Sequence, residues 1–351
     1  MIDFIPITNG QAWDSYVRGF KEYDVYYTVE YMQPFSEIEN SEMFLVTFKD
    51  NDFELCYPIE KFDISDSGKF GNLLKKGELF DLSTPYGYGG PLIKNYKKDS
   101  IKKFFDNLKE WANENNIVSQ FLRFHPLLEN HKYFEEFCDE KTFKQTVYMD
   151  LTDEDTIYKN MNDKCRNMVK KALRNGIEIK IDNTVSAQNQ FIELYKSTMI
   201  KNNASEYYFF NDKFFNGLFK GLGINCNLFN AIYDGKTVSS AIIFATNKFL
   251  HYHLSAQNRE FSKFGANNLL LYEVARYGAK KGFSAFHLGG GVEAEDGLYI
   301  FKKSFNKKGL KDFYIGRNIF DFDKYNYLMQ KRKAADSNFN LETNYMIGYR
   351  A

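Results

Sequence analysis

The chain has 351 residues, 44% of them hydrophobic, which is enough for two domains that each bury a core. Lysine plus arginine equals aspartate plus glutamate, 46 of each, so no global field draws in DNA or an anionic membrane, and any anion site must be local. No stretch approaches the roughly 18 apolar residues of a membrane span, the first residues show no secretory pattern, and the four cysteines are too dispersed for a zinc cluster or a disulfide framework. A cytoplasmic protein is expected.

Along the chain, "MFLVTFKDNDFELCYPIEKF" predicts two strands joined at Asp50, Asn51 and Asp52, followed by the Gly/Pro-rich "STPYGYGGPLI". Apolar residues at 101, 104, 105, 108 and 111 have helical spacing, and "IVSQFLRFHPL" and "KTFKQTVYMDL" supply two more strands. The stretch 152–174 predicts a single helix, opened by a capping-box-like Thr152 and Asp155 and closed at Gly176. Its Arg166, Lys170 and Arg174 are four apart and share a face: a solvated surface, or a cradle for a phosphate-rich ligand.

A second, similar layout follows. Asp234-Gly235 suits the type I′ turn of a hairpin, and a further strand runs to about Leu254. The recurrence of Leu270, Leu271, Val274, Ala275 and Gly278 predicts a helix that Gly282 stops. "SAFHLG" and "KDFYIGRNIF" are again strands. The repeated order predicts an α+β protein of two related halves, residues 1–150 and 151–351.

Gly289, Gly291 and Ala294 satisfy G-x-G-x-x-A in form, but Glu293, Glu295 and Asp296 follow where a dinucleotide fingerprint needs a helix start for pyrophosphate. The glycines read instead as a bend that lets backbone approach a substrate. His251 and His253 share a strand face without a third ligand at suitable spacing, so no metal is expected; Tyr252 between them reads as core. In "GLYIFKKSFN", Lys302 sits among Tyr299, Phe301 and Phe305. It is either desolvated, and then effective on an oxyanion or phosphate, or snorkels to water.

Taken in order, "DKCRNMVKKALRNGIEIK", the D-G hairpin, "HYHLSAQNREFSKFGANNLLLYEVARYGAKKGFSAFHLGGG" and "LYIFKKSF" resemble the FemAB-like branch of the GNAT acyltransferases, which includes the Fem aminoacyltransferases of peptidoglycan synthesis and proteins with a BioF2-like acetyltransferase domain. The likeness spans roughly 150–320, and "DVYYTVEYM" and "TPYGYGGPL" are similar to the family's first half. It implies two tandem GNAT-like domains, each a mixed sheet flanked by helices. It also implies N-acyl or aminoacyl transfer to an amine of a cell-envelope or polysaccharide precursor, without a covalent enzyme intermediate.

By the same resemblance, Phe301, Lys302 and Phe305 match the F-K-x-x-F element, with Lys302 assisting transfer. His253 is the candidate proton acceptor, ahead of His287 and Asp296; Gly289, Gly290 and Gly291 offer backbone donors, and Tyr252 joins the substrate side. Arg259, Lys263, Gly265 and Ala266 stand where GNAT domains hold pyrophosphate at a helix start. Lys201 and Asn202 occupy a stretch where the family commonly carries an arginine, which argues against a nucleotide-sugar peptide as acceptor. The co-substrate is acyl-CoA or aminoacyl-tRNA, with no permanently bound cofactor. The alternative is a catalytically silent glycan- or peptide-binding protein that uses Tyr86 and Tyr88 as a stacking platform.

Overall fold

The structure, a computed structural model, describes residues 1–39, 41–291 and 295–351. It divides into two compact units, residues 1–143 with 313–351, and residues 144–312.

The first unit contains β1 (Ile2–Pro6), α1 (Gly10–Arg18), α2 (Val29–Glu39), β2 (Glu42–Asp50), β3 (Phe53–Asp63), β4 (Phe80–Ser83), β5 (Leu92–Lys94), α3 (Lys98–Glu114) and β6 (Ile117–Arg123). The β2–β3 hairpin turns through Asn51 at φ 58°, in the αL region that asparagine tolerates. Strands β1 to β4 pair antiparallel in sequence, and β4 then pairs parallel with β6 across a connection that contains α3. The predicted stripe on α3 buries Ile101, Phe104 and Leu108 against Leu55, Tyr57, Ile59 and Leu122 of the sheet.

The second unit begins in β7 (Asp139–Asp150) and runs through α4 (Glu154–Asn160), α5 (Asp163–Arg174), β8 (Glu178–Ile181), α6 (Val185–Lys201), α7 (Asp212–Leu222), β9 (Cys226–Tyr233), β10 (Lys236–Thr246), β11 (Phe249–Gln257), α8 (Ala266–Lys281), β12 (Ala285–Gly289) and α9 (Gly297–Lys303). Its strands lie in the order β7-β12-β11-β10-β9-β8, with β11 and β12 the parallel pair, joined through α8. Asp234 and Gly235 turn the β9–β10 hairpin at φ 48° and 71°, as a type I′ turn requires. Buried Leu270, Leu271, Val274 and Ala275 of α8 cover Phe229, Ala231, Ala241 and Ile243, and Gly282 ends the helix at φ 82°.

The two units thus repeat one arrangement: an antiparallel run, a helical crossover to a parallel strand, and a closing antiparallel strand. In the first unit the closing strand is residues 315–319 of β13 (Leu310–Ile319), paired with β6; in the second it is residues 147–150 of β7, paired with β12. Two expectations change here. Residues 313–351, assigned by sequence to the second half, complete the first unit. There α10 (Phe322–Ala335) packs Tyr325 and Leu328 in one cluster with Val118, and Asp81 accepts from the Tyr349 hydroxyl at 3.0 Å and Arg350 Nε at 2.8 Å. The single helix expected over 152–174 is two helices, because Met161 is extended and Asn162 caps a new start by accepting from the Cys165 N–H at 2.7 Å. Asp153, rather than Thr152, caps the first of them.

Candidate active site

The site is built where β12 ends. Gly289 adopts φ 73° at a register shift between β12 and β7, a conformation that disfavours any side chain. A Cβ on Gly290 would lie 2.9 Å from the Gln145 carbonyl oxygen and 3.5 Å from the Lys144 stem, so only glycine lets this turn rest on β7. Glu293 and Ala294, the latter completing the G-x-G-x-x-A match, lie outside the described residues.

Past the turn, the Asp296 carboxylate accepts from the Tyr299 N–H at 2.7 Å and starts α9, a helix the sequence reading did not anticipate. The Tyr299 hydroxyl donates to Gln145 Oε1 at 2.9 Å, which ties α9 to β7, and Lys302 follows three residues later on the same helix face. Phe305 is fully buried, and Phe301 packs edge-on against it at 5.3 Å, so the F-K-x-x-F aromatics anchor the helix.

Lys302 is 8% exposed. Its Nζ donates to the Gly290 carbonyl at 2.7 Å and lies 5.7 Å from the centre of the Tyr252 ring. Burial pushes its pKa down to about 7; the Lys144 charge adds to that depression, and Asp296 opposes it. Lys144 donates to the Gly291 carbonyl at 2.8 Å, and burial lowers its pKa as well, against Asp296. No local pattern marks Lys144, which is 158 positions from Lys302 and is brought to the same turn by the β7–β12 pairing.

Tyr252 packs against the core of the second unit, as expected from the sequence; burial raises its hydroxyl pKa, and Ser255 and, in the first turn of α8, Asn267 oppose the shift. Gly265 precedes α8 at φ 81°, where a Cβ would lie 2.5 Å from the Met168 carbonyl oxygen, and Ala266 is buried. The first turn of α8 presents backbone N–H groups that have no partner within the helix, the usual means of holding phosphate. Arg259 and Lys263 are exposed on the preceding 3-10 turn, Arg259–Phe264; Arg259 is hydrogen-bonded to Asn202, which follows the exposed Lys201.

Other expected residues have different surroundings. Burial pushes the His253 pKa down to about 3, with His251 adding to the shift, and its ring packs 4.3 Å from that of Phe244. A base so weak holds an amine proton poorly at physiological pH, which weighs against the expected role of proton acceptor. His287 is buried beside His251, ring centres 5.7 Å apart. In the first unit, Tyr86 stacks on Phe35 at 5.3 Å and Tyr88 meets Tyr26 and Phe313 edge-on, so these rings are engaged in packing rather than laid out as a platform. On α5, Arg166 donates to the carbonyls of Tyr158, Lys159 and Met161 and closes α4, which favours the surface reading of this face over the phosphate cradle. A hollow of about 620 Å³ in the second unit is walled by Tyr195, Met199, Ile200, Phe209 and Phe210, and Lys302 is not in its lining.

The crossover at α8, the Gly265 start and the buried lysine are thus in one unit, and comparison with known proteins falls on the same unit. Residues 159–302 match the Acetyltransferase (GNAT) domain family. The match ends on Lys302. No curated protein matches the chain. Among solved structures, the chain is similar to FemX with a TM-score of 0.70 at 14% identity, covering 93% of this chain and 99% of that one. L-PGS from Bacillus licheniformis gives 0.55 at 12% identity, covering 87% and 90% of the two chains. The C-terminal domain of a protein from Agrobacterium fabrum described as a lysylphosphatidylglycerol synthetase gives 0.52 at 12% identity, covering 93% and 96%. The family match gives the second unit an acetyltransferase-type (GNAT) domain over residues 159–302, and the structural likenesses show that the fold shared with these proteins extends over most of this chain. No helix is long and apolar enough to cross a membrane among the described residues.

Proposed function

We propose that the second unit transfers an acyl group from a coenzyme A thioester to an amine by direct attack. The new bond joins the amine nitrogen to the acyl carbon, the carbon–sulfur bond breaks, the sulfur leaves as thiolate, and the amine proton passes to the thiolate or to water. The observation that carries this reading is Lys302, a buried lysine held at the β12 turn within the segment that matches the acetyltransferase family. In its ammonium form, in a poorly solvated corner, it stabilises the oxyanion that develops on the thioester carbonyl. The start of α8, with Arg259 and Lys263, takes the pyrophosphate of coenzyme A.

A thioester is favoured over aminoacyl-tRNA. The chain is neutral overall, and Arg166 on the basic helix is engaged in closing α4. The names FemX and lysylphosphatidylglycerol synthetase, borne by proteins of similar fold, support seeking the amine among cell-envelope precursors. Calorimetric titration at low and moderate salt tests the donor. Coenzyme A should bind with modest salt dependence, and Arg259→Ala with Lys263→Ala should weaken it several-fold. Failure to bind coenzyme A, together with tight and steeply salt-dependent tRNA binding, overturns this choice.

A further inference from the structure

In the first unit, the sheet face away from α3 holds a carboxyl that the chain itself leaves unmet. Ile59, Leu82 and Leu122 join the core under α3, so by alternation Glu60 of β3, Ser83 of β4, and Phe121 and Arg123 of β6 point to the opposite face. The register sets Glu60 beside Ser83, and Ser83 beside Phe121. Glu60 is 4% exposed, and among the described residues no hydrogen bond or ion pair reaches its carboxyl, whose Oε1 is fully buried. Such burial is costly for a carboxyl in either protonation state.

Arg123 faces the same space from β6. Its Nη1 donates to the Thr84 carbonyl at 2.7 Å and its guanidinium lies 4.8 Å from the centre of the Phe121 ring, which leaves Nε and Nη2 without a partner among the described residues. That is a planar, permanently charged fork, held in place. Burial pushes the Glu60 pKa up to about 8; Glu39 of α2 adds to the rise, and Arg123 opposes it from beyond ion-pair distance. The other charged groups on this face are engaged. Asp81 of β4 accepts from Tyr349 and Arg350, and Arg317 of β13 donates to Asp139 and to the Met346 carbonyl. From β2, Met43 opposite Glu60 brings no charge.

We propose that Glu60 and Arg123 form a binding site for a free α-amino acid, its ammonium against the Glu60 carboxylate and its carboxylate against the Arg123 fork. A zwitterion is the ligand class that both residues receive. An ammonium alone would face the guanidinium, and a carboxylate alone would face the acidic side. The ammonium favours the ionised form of Glu60, so filling the site at neutral pH sends the Glu60 proton to solvent. The site lies in the first unit and does not rest on the transfer reaction of the second.

The test is an NMR titration of the full-length protein labelled with 13C-glutamate, following the Glu60 δ-carbon, assigned by its loss in Glu60→Gln. The standard amino acids serve as probes, one at a time, with methylamine and sodium acetate as controls that carry a single charge. At least one amino acid should lower the Glu60 midpoint by about one pH unit or more, since an ammonium favours the carboxylate. It should do so at a concentration about tenfold or more below that needed with methylamine, because its carboxylate is held as well, and acetate should not lower the midpoint at all. Arg123→Gln should remove the advantage over methylamine while Glu60 still titrates. A midpoint that no amino acid moves overturns the proposal. So does methylamine acting as well as any amino acid, or an undiminished advantage in folded Arg123→Gln. If Arg123→Gln does not fold, the comparison with methylamine in the wild type decides.

Discussion

At Lys302 a desolvation cost and a proposed chemical role fall on one side chain. Its folded pKa, about 7, lies below the roughly 10.4 of an unfolded lysine. Between these values the unfolded chain binds more protons, so stability rises with pH over that window. The destabilisation is complete below about pH 7 and gone above the unfolded value. Lys302→Met should therefore raise stability at pH 6–7, by about 1–3 kcal/mol after allowing for the lost hydrogen bond to Gly290. Urea melts at pH 6 and pH 10 check this, and the gain should shrink at the higher pH. His253 sets a contrasting case: as its imidazole stays neutral down to about pH 3, His253→Gln should leave the pH dependence of turnover near neutrality unchanged. A shifted limb in the pH–rate profile would restore His253 as the base. The aromatic neighbours of Lys302 left burial and snorkelling equally open, and the loss of basicity at His253 was not legible either, because alternation along a strand gives a face and not its solvation.

At the level of elements, the periodic helices and the D-G hairpin were readable, since each depends on residues within a few positions of one another. The junction of α4 and α5 was not. Its lysines and arginines continue a helical pattern through 161–162, and what breaks it is the competition of the Asn162 side chain for the N–H of Cys165. Asn162→Ala should cost about 1 kcal/mol by denaturant melting, as the loss of an N-cap does. Gly265→Ala should cost more, about 2 kcal/mol or above, since it forces a Cβ against the Met168 carbonyl at a positive φ. It should also weaken coenzyme A binding, because it displaces the start of α8. Helix α9 was missed for a related reason: its start depends on Asp296 and on a tether to Gln145, a residue from another strand.

Over the whole molecule, the doubled arrangement could be read from the order of elements, but the ownership of the closing strands could not. Strand β13 pairs with a strand about two hundred residues earlier, and local patterns carry no information about such partners. Removal of residues 313–351 should consequently strip amide-exchange protection from β6 and α3 while leaving β10 and α8 protected; uniform loss would contradict the division into units. The proposed reaction lies entirely in the second unit, and one assay bears on it most directly. Release of coenzyme A thiol from acyl-CoA thioesters is followed across a panel of amines, for the wild type, Lys302→Met and Lys302→Arg. The account predicts amine-dependent release that falls about a hundredfold or more in folded Lys302→Met and is partly kept by Lys302→Arg, whose charge does not titrate. Amine-dependent release that Lys302→Met sustains at the wild-type rate would contradict it.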